Sequence, residues 1–222
     1  RTKKQIDELN IKKGVPLFIC DADEVILYFA KHFKKFLNTH GWDLNLSGYR
    51  LDNAIFHKCD GHLAEKKMAK NLVERFICEE TINQKATTLA KETLKKISKL
   101  ATIVILTNVP DYAHKSRKKN FYSLGLNYPI ISNSGPKGAA IKYMIGQMSL
   151  PCFFVDDSAF QIESATKENA ELISIHFSAC EIVSKILPKS NFAKYSPNTW
   201  PEVLSIVKKE LSNLQKDFKH YQ

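Results

Sequence analysis

The sequence predicts an α/β protein: a Rossmann-like, three-layer core around a parallel sheet, with a small helical insertion after the first strand. Two observations carry this prediction. Short apolar runs alternate with segments of helical periodicity, which is the pattern of parallel strands joined by crossover helices. A long stretch after the first apolar run shows helical signals and no convincing strand, which indicates an insertion at that point.

Five strands are predicted from the apolar runs. These runs are continuous rather than alternating, as expected for strands that helices cover on both faces. They are PLFIC (16–20), TIVIL (102–106), YPII (128–131), CFFV (152–155) and LISIH (172–176). Helical periodicity fills most of the gaps between them, as in segments 110–125 and 137–148. This order favours an open parallel sheet with right-handed crossovers.

The segment between the first two strands is predicted to be helical. It contains EVILYFAKHFKKFLNTHG, which ends at Gly41, then GHLAEKKMAKNLVERFICEE and QKATTLAKETLKKISKL. The last of these leads into the second strand and is interpreted as a crossover helix of the core. Residues 29–82 are therefore predicted to form a helical insertion, and residues 1–28 and 83–222 the core. A final helix is predicted to start near Asn198.

The composition is that of a globular protein, with 44% hydrophobic and 25% charged residues. No run of about 18 apolar residues indicates a membrane span, and the opening RTKKQIDELN carries no apolar signal segment. Five cysteines without close pairing indicate reduced thiols and a cytoplasmic setting. The net charge of +10 favours an anionic partner, whether nucleic acid, a membrane surface or a phosphorylated small molecule. The densest basic cluster, HKSRKKN (114–120), is interpreted as a solvated helix face.

Polar residues that suit phosphate chemistry follow four successive predicted strands. Each alone has an ordinary explanation, such as a turn, a helix cap or a surface lysine. Because the carboxyl ends of parallel strands lie at one edge of a sheet, we expect these side chains to converge there. The residues are, in chain order, Asp21, Asp23, Thr107, Asn108, Lys137, Asp156 and Asp157.

Carboxylates that converge from two strands repel one another unless a divalent cation lies among them. A small set of hard oxygen ligands, with room for water and substrate oxygens, suits Mg²⁺. One aspartate could then attack phosphorus, and a second, two residues on, could protonate the leaving oxygen and later activate water. Thr107, Asn108 and Lys137 would bind the remaining phosphate oxygens. A small phosphorylated molecule is therefore the expected substrate.

The four motifs resemble those of the haloacid dehalogenase-like superfamily, whose members are mostly phosphatases. An apolar strand followed by Asp-x-Asp matches LFICDADEV, and a strand that ends in Thr or Ser matches IVILTN. The lysine motif matches GPKGA, and a strand that ends in paired acids matches FFVDDS. The resemblance covers residues 15 to about 180 and includes the helical insertion, which matches the family's cap.

The resemblance implies Mg²⁺-dependent hydrolysis of a phosphate monoester through an aspartyl-phosphate. Asp21 would be the nucleophile and Asp23 the acid and base, with Thr107 and Lys137 completing the catalytic set.

The resemblance also implies a set of metal ligands. Asp21, the backbone carbonyl of Asp23 and one acid of the fourth motif would hold Mg²⁺. Of the two acids in that motif, Asp157 is favoured as the ligand and Asp156 as the partner of Lys137.

Glu24 departs from the family pattern, in which glycine commonly follows the second aspartate. Both aspartates remain, so hydrolysis is still expected. Near the phosphate entrance, a carboxylate at this position would repel an incoming phosphate, or it would bind a cationic or hydroxylated group of the substrate. The alternative is a solvated position at a helix start, where the helix dipole favours acids.

The resemblance also implies that the cap closes over the site and selects the substrate, which suits a lid that excludes water. Packing within the cap is the alternative explanation for its aromatic residues. The candidates for the lining are Phe33, Phe36, Trp42, Tyr49 and Phe56.

Two other functions remain open. The cap, VDDS and the ending YSPNTWPEVLSIVKKEL resemble, more loosely, the deoxyribonucleotidases, in which case an aromatic residue would stack on a base. A basic nucleic-acid-binding module without catalysis is the third possibility, and the complete set of motif residues argues against it. A salt-dependent shift on mixed DNA or RNA would favour it.

A cluster of potential metal ligands lies within the cap segment FHKCDGH. Its spacing is less regular than that of zinc sites, and no fourth ligand is evident, so we do not predict zinc binding. The residues are His57, Cys59, Asp60 and His62.

Overall fold

The structure is a computed structural model that describes residues 1–9, 11, 14–46, 53–146 and 151–220, with side chains described as far as residue 214. Five strands form one parallel sheet, in the order β5-β4-β1-β6-β7. β1 is central, and Leu17 pairs with Thr102 of β4 on one side and with Cys152 of β6 on the other. The predicted α/β fold with a parallel sheet is confirmed. The strands are β1 (Leu17–Cys20), β4 (Thr102–Thr107), β5 (Ile130–Ser132), β6 (Cys152–Asp156) and β7 (Ile173–His176).

Helices cover both faces of the sheet and make three layers. Successive residues of β1 point to opposite faces, so Phe18 packs with α4 and α9 while Leu17 packs with α1, α6 and α7. Burial on both faces explains why the strands are continuously apolar. The core helices are α1 (Thr2–Asp7), α4 (Ala90–Ile97), α5 (His114–Ser123), α6 (Gly138–Ile145), α7 (Ala159–Glu168), α8 (Glu181–Ser184) and α9 (Trp200–His220).

Several predicted helices are shorter in the structure. α6 ends at Ile145, and the predicted continuation to Met148 lies outside the described residues. A 3-10 turn precedes α5, and α9 begins at Trp200. Among the described residues, no helix combines the length and the apolar character that crossing a membrane requires.

The inserted segment has its own hydrophobic cluster, built around Phe33, Leu37 and Phe76. Its helices are α2 (Ala30–Thr39) and α3 (Lys66–Glu80). It also contains an antiparallel ribbon of β2 (Trp42–Leu44) and β3 (Ile55–His57), which the purely helical expectation missed. Strands this short give no readable alternation, so periodicity alone could not reveal them.

The chain between β1 and α2 is a compact turn rather than the start of a helix. The backbone N–H groups of Ile26 and Leu27 both donate to the carbonyl of Ala22, at 2.9 and 2.8 Å. α2 therefore begins at Ala30, later than the predicted start near Glu24.

Candidate active site

Three buried aspartates converge at the carboxyl ends of two adjacent strands. Asp21 follows β1, Asp156 is the last residue of β6, and Asp157 comes next. One carboxylate oxygen from each lies within 4.8 Å of the others. The sheet order explains this geometry, because β1 and β6 pair directly and in parallel.

Lys137 is the cation that meets these acids. Its buried ammonium group donates to Asp21 Oδ1 and, at 2.7 Å, to Asp156 Oδ2. The backbone N–H of Lys137 donates to Gln161 Oε1 at 2.8 Å, which fixes the start of α6 against α7. A Cβ on the following residue, Gly138, would lie 2.2 Å from the carbonyl oxygen of Ser164. Glycine is therefore required for the two helices to approach closely enough to place Lys137.

The electrostatics of this cluster favour an additional cation. Burial raises the pKa of Asp21 from its usual 3.8 to about 7, although Lys137 opposes that shift. Burial also raises the pKa of Asp157, and the charges of Asp156 and Asp21 raise it further. Burial alone would lower the pKa of Lys137, but Asp156 and Asp21 outweigh that effect and raise it. One ammonium thus faces three carboxylates, and a divalent cation would relieve the remaining repulsion.

The donor set fits Mg²⁺, because it consists of hard carboxylate oxygens with open space beside them. Asp156 uses both of its oxygens within the protein: Oδ2 accepts from Lys137, and Oδ1 accepts from the backbone N–H of Ser158 at 2.9 Å. Asp157 lines the cavity, and its backbone carbonyl contacts His176 Nε2 at 2.8 Å. Because both oxygens of Asp156 already accept hydrogen bonds, Asp157 is better placed than Asp156 to offer an oxygen to a metal.

Asp23 lies at the same sheet edge, but its carboxylate is held by a residue that the sequence analysis did not select. Arg117 Nη2 donates to both carboxylate oxygens, at 2.8 and 2.9 Å, and Nη1 donates to Gln84 Oε1 at 2.8 Å. Gln84 Nε2 also donates to Asp23 Oδ1 at 3.2 Å. Asn120 Nδ2 donates to the carbonyl of Gln84 at 2.7 Å, so α5 binds the chain that leads out of the cap.

The interpretation of residues 114–120 as a solvated helix face is wrong for one side of that helix. His114, Arg117 and Asn120 are buried, whereas the intervening lysines are exposed. Their spacing of three residues places them on one face of α5, and that spacing is the signal that could have identified them.

Thr107 and Asn108 follow β4 as predicted. Thr107 is buried, lines the cavity and accepts the backbone N–H of Asn133 through its carbonyl at 2.9 Å. Asn108 Nδ2 donates to the carbonyl of Gly135 at 2.9 Å, and Asn108 Oδ1 accepts from Asn133 at 3.0 Å. The Asn108 side chain therefore supports the loop that delivers Lys137, and its predicted contact with substrate stays a prediction.

Glu24 is buried, so the solvated alternative is wrong. Its φ of 61° lies in the left-handed region, which explains why a glycine suits this position. Glu24 Oε1 accepts the N–H of Ala30, the first residue of α2, at 2.5 Å. The carbonyl of Glu24 accepts the N–H of Ala179 at 2.9 Å. Burial raises the pKa of Glu24 to about 7, and the hydrogen bond from Ala30 opposes the shift.

A cavity of about 390 Å³ contains the predicted residues. Its base is formed by residues at the ends of β1, β4 and β6 and by the loop before α6. The polar lining consists of Asp21, Asp23, Glu24, Thr107, Asn108, Lys137, Asp156, Asp157, Ser158 and Gln161. The apolar lining consists of Phe29, Ala30, Leu46, Val183 and Ile186.

The aromatic candidates of the cap do not line this cavity where the structure describes them. Phe33 and Phe36 pack around Phe76, with ring centroids 5.1 and 5.6 Å from it. Trp42 packs edge-on against His57 and His62. Phe56 belongs to β3 and is likewise absent from the lining, and Tyr49 lies outside the described residues.

The cap ribbon does bring His57, Asp60 and His62 together. The two Nδ1 atoms lie 3.2 and 2.6 Å from Asp60 Oδ1, and the imidazole rings stack. Cys59 is exposed and lies outside this group. Three ligands are fewer than a structural zinc site uses, and hydrogen bonding to Asp60 accounts for the arrangement.

Comparisons with known proteins agree with this architecture. No family model matches the chain, and no curated protein matches it. Among solved structures, a haloacid dehalogenase-like hydrolase from Streptococcus pneumoniae has a TM-score of 0.60 at 12% identity, over 86% of this chain and 98% of that one. A conserved haloacid dehalogenase-like protein of unknown function from Agrobacterium tumefaciens has a TM-score of 0.61 at 15% identity, over 89% and 100%. A Clostridium difficile protein proposed to be a phosphatase has a TM-score of 0.58 at 18% identity, over 88% and 100%.

At these identities the likeness concerns the fold. The chain has the haloacid dehalogenase-like fold, which confirms the fold predicted from its four motifs.

Proposed function

We propose that this protein is a Mg²⁺-dependent phosphatase that hydrolyses a small phosphate monoester through an aspartyl-phosphate on Asp21. The observation that carries the proposal is the convergence of Asp21, Asp156 and Asp157 within 4.8 Å, with Lys137 bound to the first two. This set combines a nucleophile, a cation for phosphate oxygens and carboxylates for a divalent metal. The structural neighbours described as a hydrolase and a phosphatase support the proposal.

Asp21, Asp157 and the backbone carbonyl of Asp23 would hold Mg²⁺. When bound, the metal would offset the repulsion among the acids and the charge of the phosphoryl oxygens. Lys137 and Thr107, which also line the cavity, would bind further phosphoryl oxygens.

The reaction has two steps. A carboxylate oxygen of Asp21 attacks phosphorus, the bond from phosphorus to the alcohol oxygen breaks, and the carboxyl group of Asp23 gives that oxygen a proton. Asp23 then removes a proton from a water molecule, which attacks the phosphorus of the aspartyl-phosphate and releases inorganic phosphate. Arg117 binds both oxygens of Asp23, and the proton would be carried on a remaining lone pair of the carboxylate.

Residues 29–82 act in this proposal as the cap, and residues 1–28 and 83–222 as the catalytic core. The cap segment contributes Phe29, Ala30 and Leu46 to the cavity wall, which suits a lid that limits the access of water. A cytoplasmic setting is part of the same proposal. It rests on five cysteines, all of them free.

The two other candidate functions are supported less well. A nucleotidase would need an aromatic surface for a base. Of the described cap aromatics, Phe29 alone lines the cavity, and its ring packs against Phe33 and Phe76. The Trp200 indole is buried, donates to Thr87 Oγ1 at 3.2 Å and packs on Phe177, so its role is structural. A module that only binds nucleic acid would not account for the buried acid cluster, so we do not expect the protein to bind nucleic acid.

The test is hydrolysis of 4-nitrophenyl phosphate by the purified protein with Mg²⁺ and with a chelator. We expect turnover that requires the metal and disappears in Asp21→Asn, while a melting curve shows that the variant folds. Asp111→Asn, an exposed aspartate in the loop before α5, serves as the matched control and should keep the parent's rate. Turnover that survives chelation, or that persists in Asp21→Asn, would refute the proposal.

A further inference from the structure

We infer that the alcohol part of the substrate is apolar and carries no second anionic group. This inference deepens the proposed function by naming the substrate class, and it rests on that function for the position of the phosphate. The apolar lining of the cavity, the pairing of its polar side chains and its charge together carry the inference.

The cavity has a polar base and an apolar wall. The base is formed by the strand ends, where the phosphate would bind. The wall comes from three separate segments: Phe29 and Ala30 at the start of α2, Leu46 after β2, and Val183 and Ile186 from the chain after β7. Ala30 and Val183 pack with Cys180 in one hydrophobic cluster, and Leu46 lies against it, so the wall is already formed by packing. An alcohol leaving the phosphate would meet this apolar surface.

Three polar side chains of the lining make hydrogen bonds within the protein. Glu24 Oε1 accepts the N–H of Ala30, whereas Glu24 Oε2 is buried without a partner among the described residues. Asn108 donates to the carbonyl of Gly135. Gln161 accepts the N–H of Lys137 and donates to the carbonyl of Gly135 at 3.2 Å. Apart from Glu24 Oε2, which is closed off from solvent, these side chains offer no free partner to a polyhydroxylated alcohol. Its hydroxyl groups would give up hydrogen bonds to water without replacing them, and such desolvation is costly.

The charge of the lining argues against a second anionic group. Among the described residues of the lining, five are acidic and one, Lys137, is basic. The ammonium of Lys137 is bound to Asp21 and Asp156 at the base. A bisphosphate or a phosphorylated carboxylic acid would place its second anion near acids, with no free cation among the described lining residues to receive it, which is unfavourable.

The experiment compares two phosphate esters of equal size. Glycerol 3-phosphate and 2-methylbutyl phosphate have the same number of non-hydrogen atoms, because two methyl groups of the second replace two hydroxyl groups of the first. We expect kcat/KM to be at least about tenfold higher for 2-methylbutyl phosphate at fixed Mg²⁺. Equal values, or a preference for glycerol 3-phosphate, a nucleoside 5′-monophosphate or a bisphosphate, would overturn the inference.

Two variants test whether the wall is responsible. Ile186→Thr places a hydroxyl group in the wall, and Ile182→Thr makes the same change on α8 at a site that is 43% exposed and outside the lining. We expect Ile186→Thr to reduce the preference for 2-methylbutyl phosphate about fivefold. Ile182→Thr should leave the preference unchanged. If both variants behave alike, the wall does not select the substrate.

Binding of phosphonates separates this inference from the proposed function. With Mg²⁺ present, 3-methylpentylphosphonate should bind about tenfold more tightly than its dihydroxy counterpart, 3,4-dihydroxybutylphosphonate. If no ester is hydrolysed but this difference appears and is lost in Ile186→Thr, the phosphatase proposal fails and the inference about the pocket stands. If esters are hydrolysed through Asp21 but both phosphonates bind equally, the inference alone fails.

Discussion

The guanidinium group of Arg117 binds both carboxylate oxygens of Asp23, at 2.8 and 2.9 Å, from a side chain that is only 2% exposed. The same guanidinium binds Gln84, which also contacts Asp23. Because Gln84 follows the cap, this network connects the proposed acid and base to the chain that leaves the cap. A movement of the cap would therefore reach Asp23 through Gln84.

Arg117→Met should destabilise the protein, because the Asp23 carboxylate keeps only its contact with Gln84 and the Gln84 Oε1 atom loses its donor. We expect a loss of about 3 kcal/mol in the free energy of unfolding, measured by urea denaturation. Lys119→Met changes an exposed cation of the same helix and should stay within about 0.5 kcal/mol of the parent. Equal effects in the two variants would mean that the Arg117 contacts contribute little.

Lys137→Met should bind phosphate poorly, and it should also be less stable than the parent because Asp21 and Asp156 lose the cation between them. Removing a buried cation that pairs with charge typically costs about 2–5 kcal/mol, so we expect kcat/KM for an aryl phosphate to fall by about two orders of magnitude or more. The control is Lys142→Met, which alters an exposed lysine of the same helix that pairs with Glu168. A change within about twofold in Lys137→Met would contradict the assigned role.

Asp157→Asn and Asp156→Asn should differ in their response to Mg²⁺. Without metal, Asp157→Asn removes a buried like charge and should raise the melting temperature, by about 2–4 °C for each kcal/mol regained. Mg²⁺ should then raise the melting temperature of the parent and of Asp156→Asn, because a ligand stabilises only a protein that binds it. Asp157→Asn should not respond, because it lacks the metal ligand. If Asp156→Asn loses the Mg²⁺ response and Asp157→Asn keeps it, the assignment of the ligand is reversed.

Glu24→Gly and Glu24→Ala separate backbone strain from side-chain bonding. Both variants lose the hydrogen bond to Ala30, which contributes about 1 kcal/mol to stability. Only glycine removes the strain of the left-handed φ, which costs other residues about 1–2 kcal/mol. Glu24→Gly should therefore be more stable than Glu24→Ala by about 1 kcal/mol in denaturant unfolding. The reverse order would contradict this account. A changed ranking of phosphate esters in Glu24→Gly would instead give Glu24 its predicted role toward the substrate.

The sequence was most informative where burial and chemistry leave few choices. The five strands are covered on both faces, so they appear as continuous apolar runs, and the polar residues at their ends follow from the parallel topology. For this reason the sequence alone predicts that Asp21, Lys137 and Asp157 lie together at one edge of the sheet.

Other parts of the site depend on contacts between distant segments, which local patterns do not encode. Arg117 lies in a run of basic residues, and its burial depends on the packing of α5 against Gln84 and Asp23. The ribbon of β2 and β3 is too short for a visible alternation. The apolar wall joins Leu46 to Ile186, far apart in the chain.

The most direct test of the account is the detection of a phosphoryl group on Asp21. Parent, Asp21→Asn and Asp23→Asn would be mixed with an aryl phosphate and Mg²⁺, quenched in acid and digested, and the peptide that contains residues 17–27 analysed by mass spectrometry. We predict a phosphorylated Asp21 in the parent, more of it in Asp23→Asn because breakdown of the intermediate is slowed, and none in Asp21→Asn. Turnover by the parent without this adduct, or an adduct that persists in Asp21→Asn, would contradict the account.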